Sequence, residues 1–417
     1  MDEKKYLREL AGRYAEIAHS KIMDERREKW RLHNRLEAKT FPFHIEDNGT
    51  FFKDLMPQMK CKDEENRKLE FRLVHLITTF EKINDDRILP NRFVVGWARS
   101  LTSWCPELTI NRADSGAGKV RGYESNKPIK DLDTDLDKYK KRTMTIDREK
   151  TVQQAEKARE IFNGLLPVEI GNPGSLYSDG LTNKAVHLLG MQELFLQMAV
   201  NPEGVHRLYD IIIQDILALG QQEEDEHLLT LNTDGNQGYC SGSSQYTDEI
   251  PDRDITPEAP LCSADRYGYL ESQESTGISP DMFNEFVMPH SLKLSKKFKL
   301  MKWGCCEPVH DIIEHLQKLN GLRKVSVSPW CDLEKLAAKC RKDVIWSRKP
   351  VPLKLCGETF DPEEFREHLR ETLDFGKNHF IEFVFRDTCM LTGAMEKRLA
   401  EACDIFRKVT DSPEGSK

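Results

Sequence analysis

Short apolar runs rich in β-branched and aromatic residues alternate along most of the chain with longer amphipathic segments. The runs that fit strands cover residues 91–97, 166–170, 227–232, 267–271, 298–304, 322–327, 343–347 and 380–387. Segments of helical length and period between them include 280–298, 309–319, 333–340 and 362–375. Alternating strands and helices predict a parallel sheet, and eight such units predict a closed (β/α)8 TIM barrel. A doubly wound open sheet is the structural alternative.

The N-terminal segment has a different pattern, dense in Lys, Arg and Glu. Tyr6, Leu10, Tyr14 and Ile17 recur at the spacing of one helix face. We therefore predict an N-terminal helical extension over residues 1–40 that packs on a barrel formed by 41–417. A solvated arm is the alternative.

Two stretches, near 110–150 and 233–260, are polar and rich in turn-forming residues. They predict long surface loops, of which the second has a length typical of a functional lid.

Composition narrows the classes of partner. The 417 residues carry a formal net charge of -8, which argues against nucleic acid or an anionic membrane as the main partner because both require a basic face. The apolar runs are too short to span a bilayer, and the N-terminus has no apolar region of the kind that signal peptides carry. We therefore expect a cytoplasmic protein, whose 11 cysteines are thiols or metal ligands rather than disulfides. The acidic, charged surface is compatible with a homodimer interface.

Polar or metal-binding residues follow most of the predicted strands. In a (β/α)8 barrel these positions form the active site, because the strands all end at one mouth. Glu271, Glu307 and Asp387 are the candidate catalytic carboxylates at these ends. The candidate substrate-binding residues are Asn232, Trp330, Arg348 and Lys349. Arg348 and Lys349 suit a carboxylate or phosphate on a ligand, and salt bridges across the mouth are the alternative.

The segment WGCCEP, residues 303–308, carries the most specific chemistry. Two thiols and a carboxylate lie between a predicted strand and a predicted helix, where the helix N-terminus favours the thiolate. Thiolates and carboxylates are ligands that zinc prefers, so Cys305 and Cys306 are candidate metal ligands, with Cys389 as a third. Glu271 could also supply that third ligand. Buried, unreactive cysteines are the alternative.

Several stretches resemble the uroporphyrinogen decarboxylase superfamily, and in particular a GCCEP-containing branch that is common in anaerobic bacteria. The similarity lies in RYAEIAHSKIMDERREKWRLHN (13–34), ESQESTGISPDMFNEFVMPH (271–290), KWGCCEPVHDII (302–313), LRKVSVSPWCDLEKL (322–336), SRKPVP (347–352) and FRDTC (385–389). It is weakest over about 40–160. The resemblance implies a (β/α)8 barrel of uroporphyrinogen decarboxylase type.

The superfamily includes decarboxylases that need no cofactor, and zinc methyltransferases of corrinoid pathways. The decarboxylases use an Arg-rich N-terminal segment that has no convincing counterpart here. The methyltransferases use a His-x-Cys element after a middle strand and a Cys after a late strand. In this chain Cys305 matches the first Cys, Trp303 replaces the His, and Cys389 matches the late Cys. Glu307 or Cys306 would then substitute for the missing ligand.

The resemblance thus implies a zinc-dependent methyltransferase, the demethylating component of a corrinoid pathway. Its substrate would be a small methoxy or methylamine compound, and the methyl group would pass to a corrinoid held on a separate carrier protein. Two alternatives stay open. One is a cofactor-free decarboxylase of a carboxylated, tetrapyrrole-like substrate. The other is a non-catalytic protein that binds a tetrapyrrole or corrinoid.

Overall fold

The computed structural model describes residues 2–46, 55–112, 122–235, 241–386 and 395–411. The strands are β1 Phe43–Ile45, β2 Phe93–Val95, β3 Ala98–Leu101, β4 Ile110–Arg112, β5 Tyr123–Ser125, β6 Met144–Asp147, β7 Val168–Ile170, β8 Tyr267–Leu270, β9 Leu300–Trp303, β10 Leu322–Val327, β11 Ile345–Arg348 and β12 Ile381–Phe385. The helices are α1 Glu3–Ala18, α2 Lys21–Asn34, α3 Glu64–Ile83, α4 Arg148–Phe162, α5 Leu181–Leu189, α6 Met191–Val200, α7 Pro202–Asp225, α8 (Pro280–Met282, the π-helical Phe283–Val287 and Met288–Ser295), α9 Ile313–Leu316, α10 Leu333–Lys339, α11 Leu353–Cys356, α12 Pro362–Phe375 and α13 Met395–Thr410. None of the described helices is long and apolar enough to cross a membrane.

The main sheet is a curled, parallel half-barrel of six strands in the order β1-β12-β11-β10-β9-β8. β2 and β7 form a separate parallel pair, while β3–β6 and β4–β5 are antiparallel pairs. Seven of the eight predicted runs are strands, and β1 is a strand that the sequence did not predict. The α/β class with a parallel sheet is therefore confirmed, and the predicted closed eight-stranded barrel is wrong for the part of the chain that the structure describes.

The predicted strand at 227–232 explains part of the opening. This segment forms only one isolated bridge, between Leu229 and Asn172. The side-chain amide of Asn232 instead takes both main-chain hydrogen bonds of Tyr267, as donor to its carbonyl at 2.9 Å and as acceptor from its N–H at 2.9 Å. Because a side chain occupies the groups that a strand ladder would use, the segment does not add a strand beside β8.

The two faces of the half-barrel have opposite character, as the alternation of side chains along a strand requires. One face contributes to the main hydrophobic core, with Met301, Trp303, Val325, Val327, Trp346 and Phe383 among its members. The other face carries a buried polar layer that includes Lys302, Lys324, Ser326, Ser347 and Glu382.

The N-terminal residues form the helices that their pattern predicts. On α1, Tyr14 and Ile17 of the predicted face are buried together with Leu7 and Ala11. They belong to a second hydrophobic cluster, shared with α3 and α4. On α2, the buried Trp30 lies with its ring centroid 5.2 Å from the Lys324 Nζ, so this helix reaches the polar layer of the sheet. The boundary between an extension at 1–40 and a body at 41–417 stays a prediction.

Neither predicted surface loop lies wholly at the surface. In the first stretch, Ile129, Leu132 and Tyr139 are buried in the main core. In the second, Ser243, Ser244 and Gln245 are buried, and Lys324 donates hydrogen bonds to the Ser243 hydroxyl and the Ser244 carbonyl. The polar residues of the second stretch therefore form hydrogen bonds in the polar interior of the half-barrel instead of facing solvent.

Candidate active site

The carboxyl ends of the six parallel strands lie at one edge of the sheet, and this edge brings together side chains that are far apart in sequence. The residues that follow these strands and point their polar groups into the same cluster are Glu46, Glu271, Cys305, Lys349 and Arg386. Ser241, from the buried loop, joins them.

A tight turn after β9 presents the two cysteines. Gly304 has a φ of +97°, and a Cβ there would lie 3.1 Å from the Cβ of Ser326 on the neighbouring strand. The Ser326 hydroxyl donates to the Cys305 carbonyl at 2.6 Å. The left-handed conformation and the close neighbour both favour glycine at this position, so the sequence GCC fixes where the thiols begin.

Glu307 stabilises this turn through hydrogen bonds to the main chain. Its carboxylate accepts hydrogen bonds from the main-chain N–H of Cys305 at 2.8 Å and from that of Ser272 at 3.1 Å, and the side chain is buried. Burial raises the pKa of Glu307, and the main-chain hydrogen bonds oppose that rise. These contacts link the ends of β8 and β9, which is the geometry of a residue that positions the cysteine loop. The predicted catalytic role of Glu307 stays a prediction.

The Cys305 and Cys306 sulfurs are 3.6 Å apart. The Ser241 hydroxyl donates to the Cys305 Sγ at 3.4 Å, and Arg386 Nη1 donates to it at 3.3 Å. Lys349 donates to the Cys305 carbonyl and to the Ser241 hydroxyl. The hydrogen bond with Cys306 lowers the pKa of Cys305. This pKa is lowered further by the charge of Lys349, the Ser241 hydroxyl and the charge of Arg386, whereas burial raises it. The pKa of Cys306 is raised. The hydroxyl and the two cations around Cys305 therefore favour the thiolate at Cys305 over Cys306.

Arg386 and Ser241 are functional candidates that sequence reasoning missed. Arg386 forms an ion pair with Glu46 at 2.8 Å and donates to the Ser241 hydroxyl at 2.6 Å. Its position at the end of the last predicted strand, 380–387, and inside the FRDTC stretch is a signal that could have identified it. Ser241 lies in a polar loop whose composition gives no such signal, and Glu46 follows the unpredicted strand β1.

Glu271 has the electrostatics of a proton donor. Burial raises its pKa to about 8, and the nearby charges of Glu274 and Glu307 add to the rise. Glu274 accepts hydrogen bonds from Thr182 at 2.8 Å and Asn183 at 2.9 Å, which hold it in place. Glu271 therefore keeps its proton at neutral pH beside the cysteine loop, as an acid catalyst requires.

The other predicted site residues lie elsewhere. Lys349 is in the cluster, whereas Arg348 extends from the opposite face of β11, where its Nη1 donates to the Ser328 carbonyl at 2.6 Å. Asn232 is buried against Tyr267, and Trp330 is 73% exposed. Asp387 and Cys389 lie outside the described residues.

The two sulfurs fit part of a zinc site. With Zn–S bonds of about 2.3 Å and tetrahedral angles, two thiolates on one zinc lie roughly 3.8 Å apart, close to the 3.6 Å between these sulfurs. Across the described ranges, no group of three or more His, Cys, Asp or Glu side chains is arranged to hold a metal ion. A third protein ligand would have to come from outside those ranges, as the prediction for Cys389 requires.

No protein-family model matches the chain, and no curated protein matches its sequence. Among solved structures, it is similar to a methyltransferase from Methanosarcina mazei, with 12% identity and a TM-score of 0.48 over 91% of this chain and 98% of that chain. A similarity of this size does not bear on substrate or mechanism.

Proposed function

We propose that the protein is a methyltransferase that takes a methyl group from a small methoxy or methylamine compound and passes it to a corrinoid on a separate carrier protein. The observation that carries the proposal is the Cys305–Cys306 pair at the carboxyl edge of the sheet, whose sulfurs are 3.6 Å apart and lie beside the Arg386 guanidinium, a setting that favours the thiolate state. Vicinal thiols in that state are ready ligands for a zinc ion.

In this proposal Cys305 and Cys306 hold the zinc, with Cys389 as the third ligand. When bound, zinc supplies Lewis-acid chemistry that polarises the heteroatom carrying the methyl group. Cys306 releases its proton when it becomes a ligand, because only the thiolate binds zinc well. Lys349 and Arg386 offset the negative charge of the paired sulfurs, and Ser241 links the two cations to Cys305.

Glu271 supplies the acid in the transfer step. The bond between the methyl carbon and its oxygen or nitrogen breaks, and the electron pair stays on that heteroatom. The protonated carboxyl of Glu271 gives it a proton, so that the leaving group departs neutral. The methyl group would pass to the reduced corrinoid of the carrier protein, which would supply the electron pair of the new bond to carbon. In this mechanism Glu307 takes no part in proton transfer, and its hydrogen bonds hold the cysteine turn in place.

Metal analysis of purified protein tests the proposal directly. Wild type should contain about one zinc per chain, and a Cys305→Ser, Cys306→Ser double variant should contain none. Cys262→Ser is the matched control, because Cys262 is also a half-buried free thiol but is not part of the cysteine pair. Absence of zinc from both wild type and control overturns the zinc mechanism.

A transfer assay follows, with the absorbance change of a reduced corrinoid protein as the readout. Candidate methoxy and methylamine compounds are offered one at a time. Glu271→Gln should slow the transfer while the zinc content stays unchanged, because the variant keeps the site and loses the proton. If Glu271→Gln loses its zinc, Glu271 is a ligand and its role as the acid is refuted.

A cofactor-free decarboxylase is the second candidate, and two cations at the same edge, the buried Lys349 and the half-buried Arg386, favour it because they suit a carboxylate substrate. Arg386 already contacts Glu46 and the Cys305 sulfur, and the charge of Lys349 already interacts with the two cysteines, which leaves less positive charge for a substrate. This candidate requires full activity after Cys305→Ser, and the double variant above therefore separates the two functions.

A further inference from the structure

A cavity opens at the same edge of the sheet as the cysteines, but on the opposite face. Its volume is about 400 Å³, within the size range of small-molecule sites. The walls come from the loop between β10 and α10, the end of β11, and α12. Residues that line it include Cys331, Arg348, Val351, His368, Glu371 and Phe375.

Arg348 is buried at this cavity, and no carboxylate of the described residues forms a direct ion pair with it. The residue is 3% exposed, and its Nε has no hydrogen-bond partner among the described residues. Nη1 donates only to the main-chain carbonyls of Ser328 and Val327. Burial lowers the pKa of Arg348 to about 10. A guanidinium that loses water and gains no anion is unfavourable, so a bound anion would offset the cost of burying it.

The histidine beside it adds no positive charge. The Val351 main-chain N–H donates to the His368 Nε2 at 3.1 Å, which places the ring proton on Nδ1, 3.5 Å from a Glu371 carboxylate oxygen. Burial and the charge of Arg348 lower the pKa of His368. The guanidinium of Arg348 is therefore the one cation inside the described part of this cavity, and the charges of Cys331 and Glu371 act on it without forming a direct ion pair.

The rim of the cavity is acidic. Asp332, Glu334 and Glu371 all line it, and their side chains are exposed to solvent at least in part. Carboxylates at the rim repel phosphate and other multivalent anions. They attract a ligand whose far end is cationic.

We propose that this cavity binds a small zwitterion, a compound with one carboxylate and one cationic nitrogen, in the manner of an amino acid or a betaine. The carboxylate pairs with Arg348, as a planar guanidinium favours, and the cationic nitrogen lies among the rim carboxylates. The site is separate from the cysteine cluster, and the assignment does not depend on the proposed methyl transfer.

Calorimetric titration of the full chain tests this assignment with four probes: glycine, acetate, methylammonium and inorganic phosphate. Glycine should bind with saturation, and acetate and methylammonium should each bind at least tenfold more weakly because each has only one of the two charges. Arg348→Gln should weaken glycine binding at least tenfold. Glu371→Gln should weaken glycine and strengthen acetate.

Cys305→Ser is the matched control, because it alters the other face of the sheet and should leave glycine affinity unchanged. If Arg348→Gln fails to fold, Arg348→Lys together with Glu371→Gln provides the same comparison. Three results would overturn the assignment: a glycine Kd weaker than about 10 mM in wild type, tighter binding of phosphate than of glycine, or loss of glycine binding in Cys305→Ser.

Discussion

The buried ion pair beneath the cysteine loop gives the sharpest test of how the site is supported. The Lys324 Nζ lies 2.6 Å from a Glu382 carboxylate oxygen, and both side chains are 0% exposed. Lys302, on the adjacent strand, faces the same layer and donates to the Ser347 hydroxyl. Ser326, two residues after Lys324 on the same face of β10, supports the Cys305 carbonyl. Substitution of either residue of the ion pair should therefore disturb the position of the cysteine loop.

Glu382→Gln should destabilise the protein by about 3–5 kcal/mol, the cost of removing one partner of a buried pair. Two lysines would then remain in the layer with no carboxylate beside them. Lys324→Met should cost less, about 2–3 kcal/mol, because Lys302 still faces Glu382. Replacing both partners, with Lys324→Met and Glu382→Leu, should cost less than Glu382→Gln alone, since no buried charge of the pair is left unpaired.

At acidic pH, wild type should lose its higher stability relative to Glu382→Gln. Burial alone would raise the pKa of Glu382, but the charges of Lys324 and Lys302 outweigh it and lower the pKa to about 2. A carboxylate with a depressed folded pKa stabilises the protein above its unfolded pKa of about 4.3, and this stability is lost as the pH falls from there towards 2. The shift corresponds to about 3 kcal/mol. The stability difference between wild type and Glu382→Gln should therefore shrink as the pH is lowered through that window.

Urea unfolding at neutral pH and at about pH 3, with refolding checked at each, measures these differences. Glu314→Gln is the matched control, because Glu314 pairs with Lys339 at a similar distance of 2.9 Å on the exposed surface and should leave stability unchanged. The reasoning fails if Glu382→Gln is as stable as wild type at neutral pH. It also fails if the difference between them is the same at both pH values.

Three further outcomes are expected at the site itself. In metal-free protein, Lys349→Met should slow alkylation of Cys305 by iodoacetamide at mildly acidic pH, because loss of the lysine charge raises the pKa of that thiol. Peptide mass spectrometry measures the alkylation rate. A rate equal to that of wild type would contradict the role of the lysine charge. Glu271→Gln should raise the melting temperature relative to wild type, and more so at pH 8 than at pH 5. Burial raises the pKa of Glu271 to about 8, so as the pH rises this carboxyl ionises first in the unfolded chain, which destabilises the folded wild type. A difference in melting temperature that does not change with pH would refute this. Gly304→Ala should cost about 1–3 kcal/mol, since alanine must adopt a φ of +97° there, whereas Gly122→Ala, where a Cβ meets nothing within 4 Å, serves as the control.

The sequence by itself determined the local elements and the place of the chemistry. Period-two and period-3.6 patterns arise from the geometry of the strand and the helix, so seven runs and the helices α1 and α2 could be predicted without knowing their neighbours. The turn that carries Cys305 and Cys306 was also readable, because Gly304 follows an apolar run and the thiols come directly after it. Lys349 follows β11, two strands along the sheet from β9, and lies at the same edge as the cysteines.

Only the tertiary structure decided which side chains meet. Arg348 and Lys349 are adjacent in sequence, yet a change of one residue along a strand turns a side chain to the other face, and register alone sends Arg348 to a separate cavity. Ser241 and Arg386 reach Cys305 across 64 and 81 residues of chain, and no local pattern encodes such a contact. Part of the opening of the sheet likewise follows from a long-range contact, the hydrogen bonds between the Asn232 side chain and the Tyr267 main chain, where a strand would have paired. Local periodicity encodes which element a segment forms, whereas packing between distant segments sets the closure of the sheet and the membership of the site.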